Sequence, residues 1–388
     1  MTRIEHVTLV LGKELIPGGA VDFEKGKIVA VYRSAPATQA DTVIDGKGMY
    51  ACPGFVDIHV HGGGNVDFMG ATPEEVRKAC AAHAAHGTTT ILPTTVTASL
   101  EMTETMIANV RKAQGITTEC TIAGVHLEGP FLSSKQAGAQ DPKNLLTPTE
   151  EVLERLEKNW PGGVRIMGVA PELEGGIAFG QVLKNRGIRA TIAHSDANYA
   201  CCVAALETGY TDITHIYSGC SMVHRINGYR SGGVVEAGLV EDGFTVQIIA
   251  DGKHLPAELL KLIFKCKGPE KISLITDALF PAAADLPDGS VLRQANGMET
   301  ILEDGVMKMP DRQAFAGSIA TMDRLVRNMV NLAGVSLCDA VMMATATPAK
   351  VAGLDHRKGH LQVGYDADIV LLDKELQVAA VYAMGEKV

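Results

Sequence analysis

The sequence predicts an α/β protein built on a TIM-type (β/α)8 barrel, with a small β-sandwich domain assembled from both chain termini. Three observations carry that expectation. Short apolar runs alternate with amphipathic stretches through the middle of the chain. The two ends are instead made of β-type runs and tight turns. Metal-capable side chains recur at the ends of the central apolar runs. Alternating strand and helix signals are the pattern of a parallel sheet whose strands are joined by crossover helices.

At the N-terminus, HVTLVL is followed by AVDFEKGKIVAVYR, in which EKGK between two β-rich runs marks a hairpin. The last stretch, HLQVGYDADIVLLDKELQVAAVYAMGEKV, has the same character. Residues 1–52 and 351–388 are therefore expected to share one β-domain, leaving residues 53–350 for the barrel. Eight strands are expected there: FVDIHV, TTTILPT, TIAGVHLEG, VRIMGVAPE, RATIAHS, DITHIYS, TVQIIAD and ISLITDA. Helical periodicity fills several of the intervals, as in PEEVRKACAAHAAHG, TPTEEVLERLEKN and PAELLKLIFKCKG. AVMMATATPAKVAGL reads as a core-facing helix.

Composition excludes some functions. A formal charge of -10 argues against nucleic acid as a partner, because phosphate-backbone binding needs a basic face. No segment approaches the ~20 apolar residues of a membrane span. The apolar run Val7 to Leu11 is too short for a signal peptide, so a cytoplasmic protein without a membrane partner is expected. The eight cysteines form no C-x-x-C pair and suit free thiols in a reducing compartment.

The chemistry is written at the strand ends. In PGFVDIHVHGGG, positions i and i+2 of a strand share a face, which places His59 and His61 side by side. The third strand ends in His126 and Glu128, the fifth in His194, the sixth in His215, the seventh in Asp251 and the eighth in Asp277. Barrel active sites sit at this C-terminal face. Imidazole and carboxylate together suit Zn²⁺ or Fe²⁺. Each residue alone has a structural reading: Glu128 before a Gly-Pro turn, His194 as a satisfied core histidine, Asp277 as a helix cap. Their recurrence at one end of successive strands favours a metal site. His83 and His86 go the other way, since they close a helix before Gly87 and would favour its negative end. His6, His356 and His360 are expected at the surface, and His224 is left open.

PGFVDIHVHG, the eight-strand pattern and the split β-domain resemble the amidohydrolase superfamily. HLEGPF, IAHSDA, THIYS, IIADGKH, LITDA and FAGS are similar to its N-acetylglucosamine-6-phosphate deacetylase family. Relatives that bridge two metals with a carboxylated lysine carry it after the fourth strand; here that strand ends VAPE, and Glu128 stands at the third. The resemblance implies Glu128, His194 and His215 as ligands of a first divalent ion. The retained His59 and His61 imply either a second ion bridged by Glu128, with Asp277 near it, or an idle pair beside one ion. Zn²⁺ is the first expectation, with Fe²⁺ or Mn²⁺ acceptable to the same ligands. Asp277 is implied as the general base that takes the proton of an activated water and returns it to the departing amine.

The resemblance further implies His254 as a sugar contact and the backbone amides around Gly219 and Cys220 as the phosphate cradle. It also implies an arginine contributed across a homodimer interface, Arg230 first and Arg225 second. This chain departs from the family pattern at Ser218-Gly219 and in AGAQDP, where Gln140 after Ala139 replaces a substrate-contacting histidine. The substrate implied is a phosphorylated N-acetyl amino sugar, N-acetylglucosamine 6-phosphate or its galacto epimer. Another N-acyl amide hydrolase and a non-catalytic relative are the competing classes.

Overall fold

A computed structural model describes residues 1–388. The eight expected parallel strands are all present: Phe55–Val60, Thr88–Pro93, Val125–Phe131, Val164–Val169, Arg189–Ile192, Tyr210–Ile213, Thr245–Ile248 and Ile272–Leu274. The first pairs with the second, and the third to the eighth pair in succession. The bridge Thr94–His126 joins the second to the third, and Val60–Ala278 joins the chain after the eighth to the first. The pairings thus close into a ring. The first three ring strands are buried at every position, as parallel strands covered on both faces are.

The helices begin where local chemistry allows. Pro73–Ala84 opens with a capping box between Thr72 and Glu75, and Glu150–Glu157 is capped by Thr149. The single helix expected in AVMMATATPAKVAGL is instead two, Leu337–Ala344 and Ala346–Val351, broken at Thr345 with φ -133 and ψ -80. Pro348 accounts for the break, because its ring clashes with the carbonyl four residues earlier and it has no N–H to donate. The helix-end reading of His83 also needs correction. His83 is fully buried, its Nε2 lies 2.8 Å from the Gly62 carbonyl, and burial pulls its pKa down to about 4. A neutral imidazole has no charge to offer the helix dipole. It serves as a packing and hydrogen-bonding group.

Both termini enter one eight-stranded sheet. Tyr50–Pro53 lies at its middle, parallel to Thr2–Leu11 on one side and antiparallel to Ile369–Leu372 on the other. Their inward side chains share a core: Val7, Leu9, Phe23 and Ile28 pack with Ile369, Leu371 and Tyr382. Lys358 ties this sheet to the ring. Only 2% exposed, its Nζ donates to Asp368 Oδ2 at 2.6 Å and to Thr121 Oγ1 at 2.8 Å, with Asp366 Oδ2 at 3.0 Å. A four-stranded antiparallel sheet spanning Val291 to Gly317 is inserted between the eighth ring strand and the helix Met322–Asn331. It was not anticipated. No helix is long and apolar enough to cross a membrane, and all eight cysteines are free.

Candidate metal centre and active site

The ring brings Glu128 to the middle of four histidines. Its Oε1 lies 3.0 Å from His194 Nε2 and 2.8 Å from His215 Nε2. Its Oε2 lies 3.5 Å from His59 Nε2 and 3.3 Å from His61 Nε2. Asp277 Oδ1 completes the group, 3.1 Å from His61 Nε2 and 3.4 Å from His59 Nε2. Two triads, His59–His61–Glu128 and Glu128–His194–His215, each gather their ligand atoms within 4.8 Å and share the glutamate.

The tautomers show what these atoms need. His194 Nδ1 meets the Gln136 carbonyl at 2.7 Å, His215 Nδ1 the Ser218 carbonyl at 3.0 Å, and His61 Nδ1 the Thr94 carbonyl at 3.2 Å. His59 Nδ1 faces Gln247 Oε1 at 3.4 Å, and the Gln247 amide donates its N–H to Asp212. Each Nδ1 therefore faces an acceptor and carries the proton, which leaves the Nε2 lone pairs directed at a carboxylate. His59 Nε2 and His61 Nε2 themselves stand 3.2 Å apart. Lone pairs facing lone pairs in a buried space require positive charge between them, and outer partners that fix the tautomer are typical of metal-ligating histidines. The donor set fits a divalent ion. The electrostatics shows the same demand for positive charge: burial opposes charging His61, yet Asp277 and Glu128 drive its pKa up to about 10, so that a proton takes this place when no ion does. Glu128 is held well below the carboxylate range, its burial outweighed by the surrounding histidines.

Three of these residues, His194, His215 and Asp277, occupy left-handed backbone conformations with φ of 43, 26 and 47. Non-glycine residues there cost on the order of 1–3 kcal/mol each and cluster at functional sites. Neighbouring hydrogen bonds hold them. Asp277 donates its N–H to the His59 carbonyl and accepts from Ser318 N–H, at 2.9 and 2.8 Å. Gly219 is required beside them, because a Cβ there would lie 2.7 Å from His194 Nδ1 at a φ of 57.

A cavity of about 240 Å³ opens over the donor set. Its walls include His61, Glu128, His194, His215 and Asp277, with Ala139, Gln140, Gly219 and His254 from the sequence-predicted contacts. Cys220 is buried but does not line this cavity; it lines a neighbouring one. Arg225 and Arg230 are exposed on the hairpin His224–Ile226/Tyr229–Ser231, outside the cavity wall. His224 is exposed on the same hairpin. The fully buried His126 is not brought into the donor set. Its Nδ1 bonds the Ile58 carbonyl at 2.9 Å and its ring lies under His59, 4.7 Å between centroids.

Asp251 does not join the donor set either. Its Oδ2 accepts His254 Nδ1 at 2.9 Å, and its Oδ1 accepts two backbone N–H groups. That pairing fixes the His254 ring, whose side chain is 4% exposed, at the edge of the cavity. Phe315 to Gly317 of the family-like FAGS motif line the cavity with Gln294, a wall from the inserted sheet to which the sequence reading gave no role. The available signal was the alternation of ETILE and VMK around Asp304-Gly305.

A ring of parallel strands with imidazole and carboxylate donors at one end defines a metal-dependent hydrolase of the amidohydrolase type. Residues 50–388 match the sequence profile of the amidohydrolase family, and the chain belongs to it. Within the family it is similar to N-acetylglucosamine-6-phosphate deacetylase of Bacillus subtilis, with 31% identity covering 98% of this chain and 96% of that protein. It is also similar to N-acetylgalactosamine-6-phosphate deacetylase of Escherichia coli O157:H7, with 33% identity covering 86% of each. Among solved structures, a mutant N-acetyl-D-glucosamine-6-phosphate deacetylase of Mycobacterium smegmatis in complex with N-acetyl-D-glucosamine-6-phosphate superposes with a TM-score of 0.91. That pair is 33% identical, with 100% of this chain and 98% of that one covered.

Proposed function

We propose that this chain hydrolyses the N-acetyl amide of N-acetylglucosamine 6-phosphate, releasing acetate and glucosamine 6-phosphate. The observation that carries the reading is the shared donor set of Glu128, His59, His61, His194 and His215, with Asp277 beside it at the floor of one cavity. In the same reading residues 53–350 form a (β/α)8 barrel, and residues 1–52 with 351–388 form the β-sandwich domain. The closed ring of pairings and the shared terminal sheet support it.

A divalent ion, Zn²⁺ by preference, would be held by Glu128 with His194 and His215, and a second by Glu128 with His59 and His61; it supplies Lewis acidity and an acidified water. The chain supplies the proton traffic. Asp277 takes a proton from the attacking water and delivers it to the amine nitrogen, without which an amine leaves poorly. His254, fixed by Asp251, contacts the sugar, and the backbone at Gly219 approaches the phosphate.

The cavity wall contains no lysine or arginine, and a phosphate dianion calls for one. Arg230 on the exposed hairpin is the group we assign to it, from a second copy of the chain, with Arg225 as the alternative. Arg230→Ala is expected to raise KM about 10–100-fold, the equivalent of a charge-assisted hydrogen bond, with kcat little changed. Mixing Arg230→Ala with Asp277→Asn subunits distinguishes the geometry. At substrate well below the raised KM, a trans arginine restores one site of wild-type affinity in the mixed dimer, and a cis arginine does not.

Acetate release from N-acetylglucosamine 6-phosphate by metal-replete protein tests the function; no release from either epimer removes it. The galacto epimer is the second reading, favoured by the 33% identity to the galactosamine-phosphate enzyme. A larger kcat/KM for that epimer would reassign the substrate and leave the reaction unchanged.

A further inference from the structure

The geometry points to Gln140 as a positioning residue that holds Glu128 divided between the two histidine pairs, so that both triads take up an ion. This rests on the metal-dependent reading above and deepens it. At the family's substrate-contacting position this chain has an amide with both ends already engaged. Thr97 N–H, a donor, lies 2.7 Å from Gln140 Oε1. That contact settles which end of the amide is oxygen. The NH₂ end must therefore face Glu128, and it donates to Oε2 at 2.8 Å.

The consequence lies in how a glutamate can turn. The last torsion of the side chain is broad and two-fold, so an unrestrained carboxylate between two triads can swing both oxygens towards one of them. Gln140 prevents this by holding Oε2 on the side of His59 and His61, while Oε1 stays on His194 and His215. A carboxylate oxygen has two lone pairs; one accepts the Gln140 N–H and the other remains for an ion. The restraint is itself anchored. Gln140 is 5% exposed and Glu128 2%, and the Glu128 backbone N–H donates to Thr95 Oγ1 at 3.0 Å. Neither partner has room to drift. Substrate recognition alone would not need the glutamine to be tied at both ends.

The test is a calorimetric titration of chelator-treated protein with Mn²⁺, together with elemental analysis of the dialysed product. Wild type is expected to bind two ions per subunit. Gln140→Met keeps the length and shape of the side chain but removes the amide. It is expected to keep the tighter ion and to weaken the second by about 10–100-fold, the usual effect of losing an outer hydrogen bond to a metal ligand. Gln140→Glu, which still accepts from Thr97 but no longer donates, should weaken the same ion. Retention of both ions by both variants, with only KM raised, overturns the inference and makes Gln140 a substrate contact. Equal loss of both ions, or a wild-type stoichiometry of one, also overturns it. Wild type that takes up no Mn²⁺, Zn²⁺ or Fe²⁺ removes the deacetylase reading itself, a result distinct from an unchanged variant.

Discussion

Asp277→Asn is expected to lower kcat for deacetylation by about 10²–10⁴-fold, the range associated with a positioned general acid–base group. The substitution is close to isosteric, so the Oδ1 contacts near His59 and His61, at 3.4 and 3.1 Å, can be kept. An amide cannot accept a proton at neutral pH. The left-handed backbone at residue 277 also favours the change, because asparagine tolerates that conformation about as well as aspartate. Steady-state kinetics should be paired with elemental analysis. Lost turnover with unchanged metal content identifies a proton carrier. A parallel loss of one ion makes Asp277 a ligand instead, and unchanged turnover eliminates both roles.

Lys358→Ala carries the largest expected effect on stability, about 3–5 kcal/mol, because it breaks a buried ion pair by removing one partner. Asp366 keeps Lys27 and Arg357 at 2.7 and 2.6 Å. Asp368 keeps only the Met384 N–H on its Oδ1, so it is left as the uncompensated charge. The shift in denaturant midpoint measures the loss. Lys358→Met combined with Asp368→Asn should recover most of it, since removing both charges leaves no unpaired ion. If the single change costs less than about 1 kcal/mol, the pair behaves as an exposed one and the tie between sheet and ring is weak.

Much of the site was legible because strand geometry is short-range. His59 and His61 share a face by parity alone, and each remaining donor sits within a few residues of where an apolar run stops. Depth along a strand is another matter. His126 and Glu128 obey the same parity, yet one pleat separates a residue bonded to the Ile58 carbonyl from the centre of the donor set. That difference depends on the register with the neighbouring strand, which no local pattern reveals. Asp251 was drawn away by a partner three residues on, a competition decided by backbone turns. Gln140 and the inserted sheet lie on excursions that return to the ring mouth, and their destination is a property of the closed fold. The break at Thr345, by contrast, could have been read from Pro348.

The central position of Tyr50–Pro53 has a meaning in time. During synthesis this strand leaves the ribosome more than three hundred residues ahead of Ile369–Leu372, the neighbour that covers its far side. Until then the nascent chain carries an unpaired strand edge directly before Phe55, where the ring starts. Open edges of this kind invite pairing with other chains. The long wait leaves that edge open to such pairing until translation is nearly complete. A chain stalled shortly before residue 369 would hold all eight ring strands and still lack the strand that completes the terminal sheet.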